Sequence, residues 1–193
     1  MIANNRMTAE EFARCKPDLP EAGRWQELHE GRPVIMQPPD DSHTTTVFNL
    51  TRALAEWFQT RQQQKVGYAC HEIGLHVGHN PDTVYCPAIS YFATGQQFRQ
   101  TDHAVADEVP ALVVDVASAN DRRSEMRRRT LAYLALGVDT VWVPDPKKKE
   151  IQVIGKNQQT LALGQWQTLE GSPLLPSFAI EVKQVFAQPK WWR

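Results

Sequence analysis

Residues 111–117 read Ala-Leu-Val-Val-Asp-Val-Ala, an apolar run broken by one charge. A run with so little alternation marks a strand covered on both faces. Ser118, Asn120 and Asp121 then offer helix caps, a helical stretch extends to about Leu136, and Gly137 stops it. Thr140-Val141-Trp142-Val143 is the next strand, ended by Pro144-Asp145-Pro146. Strand, helix and strand in that order predict a parallel pair joined by a right-handed crossover. The fold class is therefore α/β.

The remaining chain builds around that unit. Thr8 and Glu11 form a capping box for a short helix over Thr8 to Cys15, and Pro17, Pro20 and Gly23 break the chain after it. Trp25 to His29 and Val34 to Met36 read as two strands turned at Glu30-Gly31. Val47, Leu50, Leu54, Trp57 and Phe58 recur at helical steps, which predicts an amphipathic helix from Ser42 to about Gln64. Residues 66–77 and 83–92 are β-rich runs around His79-Asn80-Pro81-Asp82 and predict one hairpin, followed by a polar loop over 94–108. Ile151 to Ile154 and about Thr160 to Leu163 form a further hairpin, and Pro173 to Phe186 returns against the body of the protein. A mixed β-sheet flanked by helices accommodates all of this.

The chain has 193 residues, enough for one domain with a sizeable core and short for two. A net charge of −1 gives no global attraction to nucleic acid, so any such binding needs a local basic patch. Cys15, Cys70 and Cys86 match neither a disulfide framework nor a zinc spacing and read as reduced, mostly buried thiols of a cytoplasmic protein. The first residues hold no apolar signal region. No segment approaches ~18 consecutive apolar residues, so a membrane partner is not expected.

Two charges fall where packing would exclude them. Asp115 sits inside the apolar strand, on the face of Val113 and Ala117. A buried carboxylate must be paired, metal-bound or protonated, and for this residue alone a cap or ion pair is the simpler role. Arg129 shares a helix face with Met126, Tyr133 and Leu134, and Asp115 is its nearest candidate partner. Arg122, one turn further back, could join them, whereas Arg123, Arg127 and Arg128 read as a solvated basic face. Carboxylates beside a cation can serve metal-assisted phosphodiester hydrolysis: the metal activates water and the cation stabilises developing charge.

At these residues the chain resembles the bacterial Uma-type endonuclease family of the PD-(D/E)XK superfamily. MTAEEF at 7–12 is similar to the family's opening, and RWQELHEGRPVIM at 24–36 to its first hairpin, with His43 following a proline-rich loop. DTVYCPAISYF at 82–92 resembles the strand that carries Pro-Asp. VVDVASANDRRSEMRRRTLAYLALGVDTVWVPDP at 113–146 resembles the family's central block, and LLPSFAIEV at 174–182 its closing strand. The resemblance implies a restriction-endonuclease-like core acting on DNA with Mg²⁺. It places Asp115 at the strand glutamate, Arg129 at the helical lysine, and Glu27 and His43 at accessory positions. Ala88 replaces the aspartate after Pro87, a principal metal ligand.

Glu72, between Cys70 and Ile73, is the candidate substitute ligand beside Asp115, while Asp82 is more simply a turn residue. Glu27 could equally be a hairpin-end surface charge and His43 a helix-cap neighbour. Two functions follow. One is a Mg²⁺-dependent endonuclease, or a close descendant with an eroded metal site. The other is an inactive paralogue that binds nucleic acid or a protein partner through Arg122, Arg123, Arg127, Arg128 and Lys147-Lys148-Lys149, with Trp191-Trp192-Arg193 as a stacking surface. A homodimer is expected in either case.

Overall fold

The computed structural model of the chain describes residues 6–61, 66–100, 102–118, 120–156 and 160–189. In chain order the elements are α1 (Ala9–Cys15), β1 (Gln26–His29), β2 (Arg32–Ile35), α2 (Asp41–Gln59), β3 (Tyr68–His71), β4 (Leu75–Gly78), β5 (Thr83–Tyr85) and β6 (Ile89–Phe92). They continue with β7 (Leu112–Val114), α3 (Asn120–Leu136), β8 (Thr140–Asp145), β9 (Glu150–Gly155), β10 (Leu161–Gly164), β11 (Thr168–Glu170), β12 (Ala179–Glu181) and α4 (Val182–Val185).

The central sheet has the order β10-β9-β8-β7-β6-β3. Its one parallel pair is β7 with β8, joined through α3, and every other neighbour in it is antiparallel. The sheet is mixed and helices flank it, as the strand–helix–strand pattern requires. The side chains of β7 alternate between two cores. Leu112, Val114 and Val116 pack with Leu50, Leu54, Trp142 and Val185 on one side, while Val113 and Ala117 pack with Met126, Tyr133 and Val141 on the other. That alternation aims Asp115 at α3. Gly137, at φ 116°, ends α3 in a conformation that suits glycine.

A second sheet, ordered β2-β1-β5-β4, corrects the expectation of one hairpin over 66–77 and 83–92. Both runs are broken and cross from one sheet to the other: β3 pairs with β6, and β4 with β5. The break falls at Glu72, which takes a left-handed φ of 52°, opposite Ala88, whose neighbour on the partner run, Pro87, has no N–H to donate. The Glu72 N–H still reaches the Ala88 carbonyl at 3.4 Å, so the two strands stay together at the corner. Glu30 and Gly31 both have positive φ, as a two-residue type I′ hairpin turn demands, and they join β1 to β2. The capping box on α1 is present in both directions, Glu11 N to Thr8 Oγ1 at 3.1 Å and Thr8 N to Glu11 Oε2 at 2.8 Å. Phe12 of α1 seals against Leu28 and Val84 of this second sheet.

α2 ends at Gln59 rather than near Gln64, and residues 62–65 lie outside the described residues. The stop is local: the Thr60 hydroxyl donates back to the Trp57 carbonyl and competes with helix propagation. The Trp191-Trp192-Arg193 tail and the cap side chains of Asn120 and Asp121 also lie outside the described residues. The three cysteines are unpaired thiols, two of them buried. Among the described residues, no helix is long and apolar enough to cross a membrane.

Candidate functional site

The seam between the two sheets collects the buried charges. β1 brings Glu27, the end of β7 brings Asp115, and α3 brings Arg129 with Tyr133 one turn later. All four are fully buried, at 0% exposure. Arg129 lies between the two carboxylates. Its Nε donates to Asp115 Oδ2 at 2.6 Å, its Nη1 to Glu27 Oε2 at 2.6 Å, and its Nη2 to Glu27 Oε1 at 2.9 Å. The Tyr133 hydroxyl donates to Asp115 Oδ2 at 2.8 Å and accepts from Arg129 Nη2 at 3.0 Å. Arg122 approaches the outer side, 3.3 Å from Asp115 Oδ1 and 3.9 Å from Glu27 Oε1.

Each oxygen of both carboxylates faces a donor. Glu27 Oε1 also accepts from the Cys86 N–H at 2.9 Å, and Oε2 from His29 Nε2 at 3.0 Å. The Tyr85 ring lies 4.4 Å from the guanidinium carbon of Arg129 and covers it from water. Two carboxylates thus meet two guanidinium groups, and the cluster is neutral without any further cation. Burial pushes the Glu27 carboxyl up, but Arg129, His29 and Arg122 outweigh it and hold it well below the usual carboxylate range. Arg129 is held charged: burial opposes the charge, and Asp115, Tyr133 and Glu27 more than offset that.

The pairing of positions 115 and 129, expected from strand alternation and helical period, is therefore present. The cluster also includes Glu27, which sequence spacing left between the cleft and the surface. Tyr133 was visible only as a face-mate of Arg129; its role follows from being one helical turn further along the same stripe.

His43 is buried next to the cluster. Its N–H is capped by Asp40 at 2.7 Å, and its Nδ1 lies 2.8 Å from the Ser118 hydroxyl. His43, Glu72, Cys86, Ala88, Ser118 and Arg122 line a cavity of about 10 Å³, space for about one water. Glu72 stands exposed on the rim. The carboxylates of Asp115, Glu27 and Glu72 do not converge as three ligands within 4.8 Å. A divalent cation of the kind the resemblance implies does not fit here: the carboxylate oxygens are already bonded to donors, and the position expected for a further carboxylate is the methyl of Ala88.

One basic residue, Arg123, departs from the solvated face expected of it. Arg123 clamps Asp145, with Nη2 at 2.8 Å from Oδ1 and Nη1 on Oδ2, and also donates to the Ala117 carbonyl at 2.6 Å. The reason is the crossover itself, which sets the first turn of α3 against the end of β8. Asp145 also accepts from the N–H groups of Lys147 and Lys148, so the lysine turn is fixed while its side chains stay exposed. Arg128 pairs with Glu125 at 2.9 Å, and Arg127 is exposed.

His43 sets an acid-sensitive step in stability. Burial and then Arg122 push the imidazole down to about 4, against the pull of Asp115 and Asp40. Its folded value lies below its ordinary 6.5, so the stability it confers is complete above about pH 6.5 and lost as pH falls towards 4. The loss should be about 2–3 kcal/mol. Urea unfolding of the wild type and His43→Gln from pH 7.5 to 4.5 measures it, since glutamine does not titrate. Parallel pH profiles for the two proteins would remove His43 from this role.

A family profile described as Uma2, putative restriction endonuclease, matches residues 9–183. No curated protein matches the chain. Among solved structures, a putative nuclease belonging to DUF820 from Anabaena variabilis ATCC 29413 superposes with a TM-score of 0.74. The two are 18% identical, over 93% of this chain and 97% of that one, so the likeness speaks for the fold. The profile spans the strand–helix–strand block and both sheets described above, and the chain belongs to the Uma2 family of restriction-endonuclease-like proteins.

Proposed function

We propose that this protein is a DNA-binding member of its family in which an internal arginine has replaced the metal ion, so that it does not cut phosphodiester bonds with Mg²⁺. The observation that carries this reading is the Arg129 guanidinium, fully buried and bonded to both Glu27 and Asp115. Metal-assisted hydrolysis needs carboxylate oxygens open to the ion and a water beside it. Here those oxygens face nitrogen, hydroxyl and amide donors.

DNA as the partner is carried over from the family's description and supported by the exposed Arg127 and the Lys147-Lys148-Lys149 turn. Arg122 and Arg123 are engaged within the protein and contribute little to such a surface. With about two to four phosphates contacted, log affinity should fall with log salt at a slope of roughly −2 to −4.

Supercoiled plasmid incubated with Mg²⁺ or Mn²⁺ should stay intact, while a labelled duplex is retained at low salt with that slope. Lys148→Glu combined with Lys149→Glu should flatten it. Cutting that Asp115→Ala abolishes would overturn the silent reading in favour of an active endonuclease. Absence of duplex binding at low salt would remove DNA as the partner.

A further inference from the structure

Away from the seam, the turn between β4 and β5 gathers two imidazoles and a carboxylate. We infer that His76, His79 and Asp82 form a binding site for a borderline transition-metal dication of the Zn²⁺ type. Their ligand atoms all lie within 4.8 Å of one another. His76 Nε2 stands 3.4 Å from Asp82 Oδ1, and the His76 and His79 rings are 4.1 Å apart at 60°. Two ligands each 2.0–2.2 Å from one tetrahedral ion are themselves about 3.3–3.5 Å apart, so the His76–Asp82 separation is already that of a chelate.

The local backbone explains the convergence. β4 carries a bulge: His76 pairs with Val84 and Gly78 with Thr83, leaving Val77 as an extra residue. A bulge re-aims the side chains beside it, here towards the turn that holds His79 and Asp82. All three ligands lie within one seven-residue hairpin segment, so bringing them together costs little additional chain entropy.

The hydrogen bonding around the cluster points the same way. His76 Nε2 is buried and has no aligned hydrogen-bond partner despite its nearness to Asp82. A buried imidazole nitrogen left so is either a cost to the fold or a ligand. Asp82 is held from behind, its Oδ2 accepting from the Ala9 N–H at 2.8 Å at the start of α1, and its carbonyl accepting from Gly31 at 2.7 Å. That is the outer-shell support which fixes a ligating carboxylate. Two imidazoles and one carboxylate suit Zn²⁺ or Co²⁺ over Mg²⁺, with water completing the fourth position. A bound ion would tie the β4–β5 turn to α1, outside the Glu27–Arg129 cluster and independently of whether that cluster cuts DNA.

The test uses the full chain without a histidine tag, stripped with chelator and titrated calorimetrically with ZnCl₂, in parallel with Co²⁺ followed by visible absorption. One equivalent of Zn²⁺ should bind, Co²⁺ should show four-coordinate ligand-field bands, and excess Mg²⁺ should not compete. His79 is exposed, so His79→Ala should keep its circular dichroism yet lose about 100-fold or more in affinity. His76→Gln should behave similarly. His103→Ala, which removes a two-residue His103–Asp107 pair, should leave binding unchanged. Bound Zn²⁺ should also slow amide exchange at Ala9. The inference fails if no stoichiometric Zn²⁺ binding is found, or if binding survives both His76→Gln and His79→Ala.

Discussion

Arg129→Met should destabilise the fold by about 3–5 kcal/mol, a large share of what a domain of this size possesses. Methionine fills much of the arginine's volume, so packing loss is a minor part of that cost. The main part is two buried carboxylates left facing each other without the cation that bonds both. Arg129→Lys should fall between, because an ammonium is a point charge and cannot donate along the two edges that Glu27 and Asp115 occupy. Neutralising all three positions at once, with Glu27→Gln, Asp115→Asn and Arg129→Met, should recover a good part of the loss, since charges removed together leave none unpaired. Urea unfolding followed by tryptophan fluorescence at pH 7 reads all three cases. A loss below about 1 kcal/mol for Arg129→Met would mean that water reaches the carboxylates and that the arginine is not holding them.

The same substitution should reverse the sign of the acid dependence at Glu27. In the wild type its carboxyl is held low, so its contribution is complete above about pH 4.5 and lost as pH falls below that. Without Arg129 the burial that pushes Glu27 up, joined by repulsion from the unpaired Asp115, is opposed only by His29, Arg122 and the Cys86 N–H. Its folded value then exceeds its unfolded one, and the variant should gain stability as pH falls towards about 5. Opposite slopes in neighbouring pH windows are hard to obtain from a change in packing alone.

What could be read from sequence follows the range of the interactions involved. Asp115 and Arg129 lie fourteen residues apart across one strand-to-helix connection, so two periodicities, 2.0 and 3.6, suffice to aim them at each other. Glu27 meets Arg129 across 102 residues, and nothing local to β1 shows which face of its sheet will be covered. The corner at Glu72 was hidden for another reason. A left-handed glutamate carries no compositional mark, unlike the glycines at 31 and 137 whose turns were anticipated. With the corner missed, two sheets read as one hairpin, and the seam that holds the buried charges had no visible cause. Arg123 looked solvated because its partner, Asp145, lies on the far side of the crossover and is distant in sequence.

Ala88→Asp alone should fail to create a Mg²⁺ site, whereas Ala88→Asp combined with Arg129→Lys should create one. Ala88 is nearly fully buried on the cavity that His43, Glu72, Ser118 and Arg122 line. An aspartate placed there joins two carboxylates already bonded to Arg129, and Arg122 is at hand to pair with the newcomer. Adding lysine at 129 changes the balance: one ammonium cannot occupy both carboxylates, oxygens of Glu27 or Asp115 become available, and three acidic groups repel unless a dication joins them. The double variant should therefore be less stable than wild type in chelator and regain stability with Mg²⁺. At ten times its dissociation constant the ion contributes about 1.4 kcal/mol, a rise of about 2–4 °C in Tm for a chain of this length. Wild type and both single variants should show no such rise at the same concentration. A Mg²⁺ response in Ala88→Asp alone would mean that the guanidinium yields its place to an ion, and that the arginine at 129 is a ligand-side cation of a working site instead of a substitute for the metal.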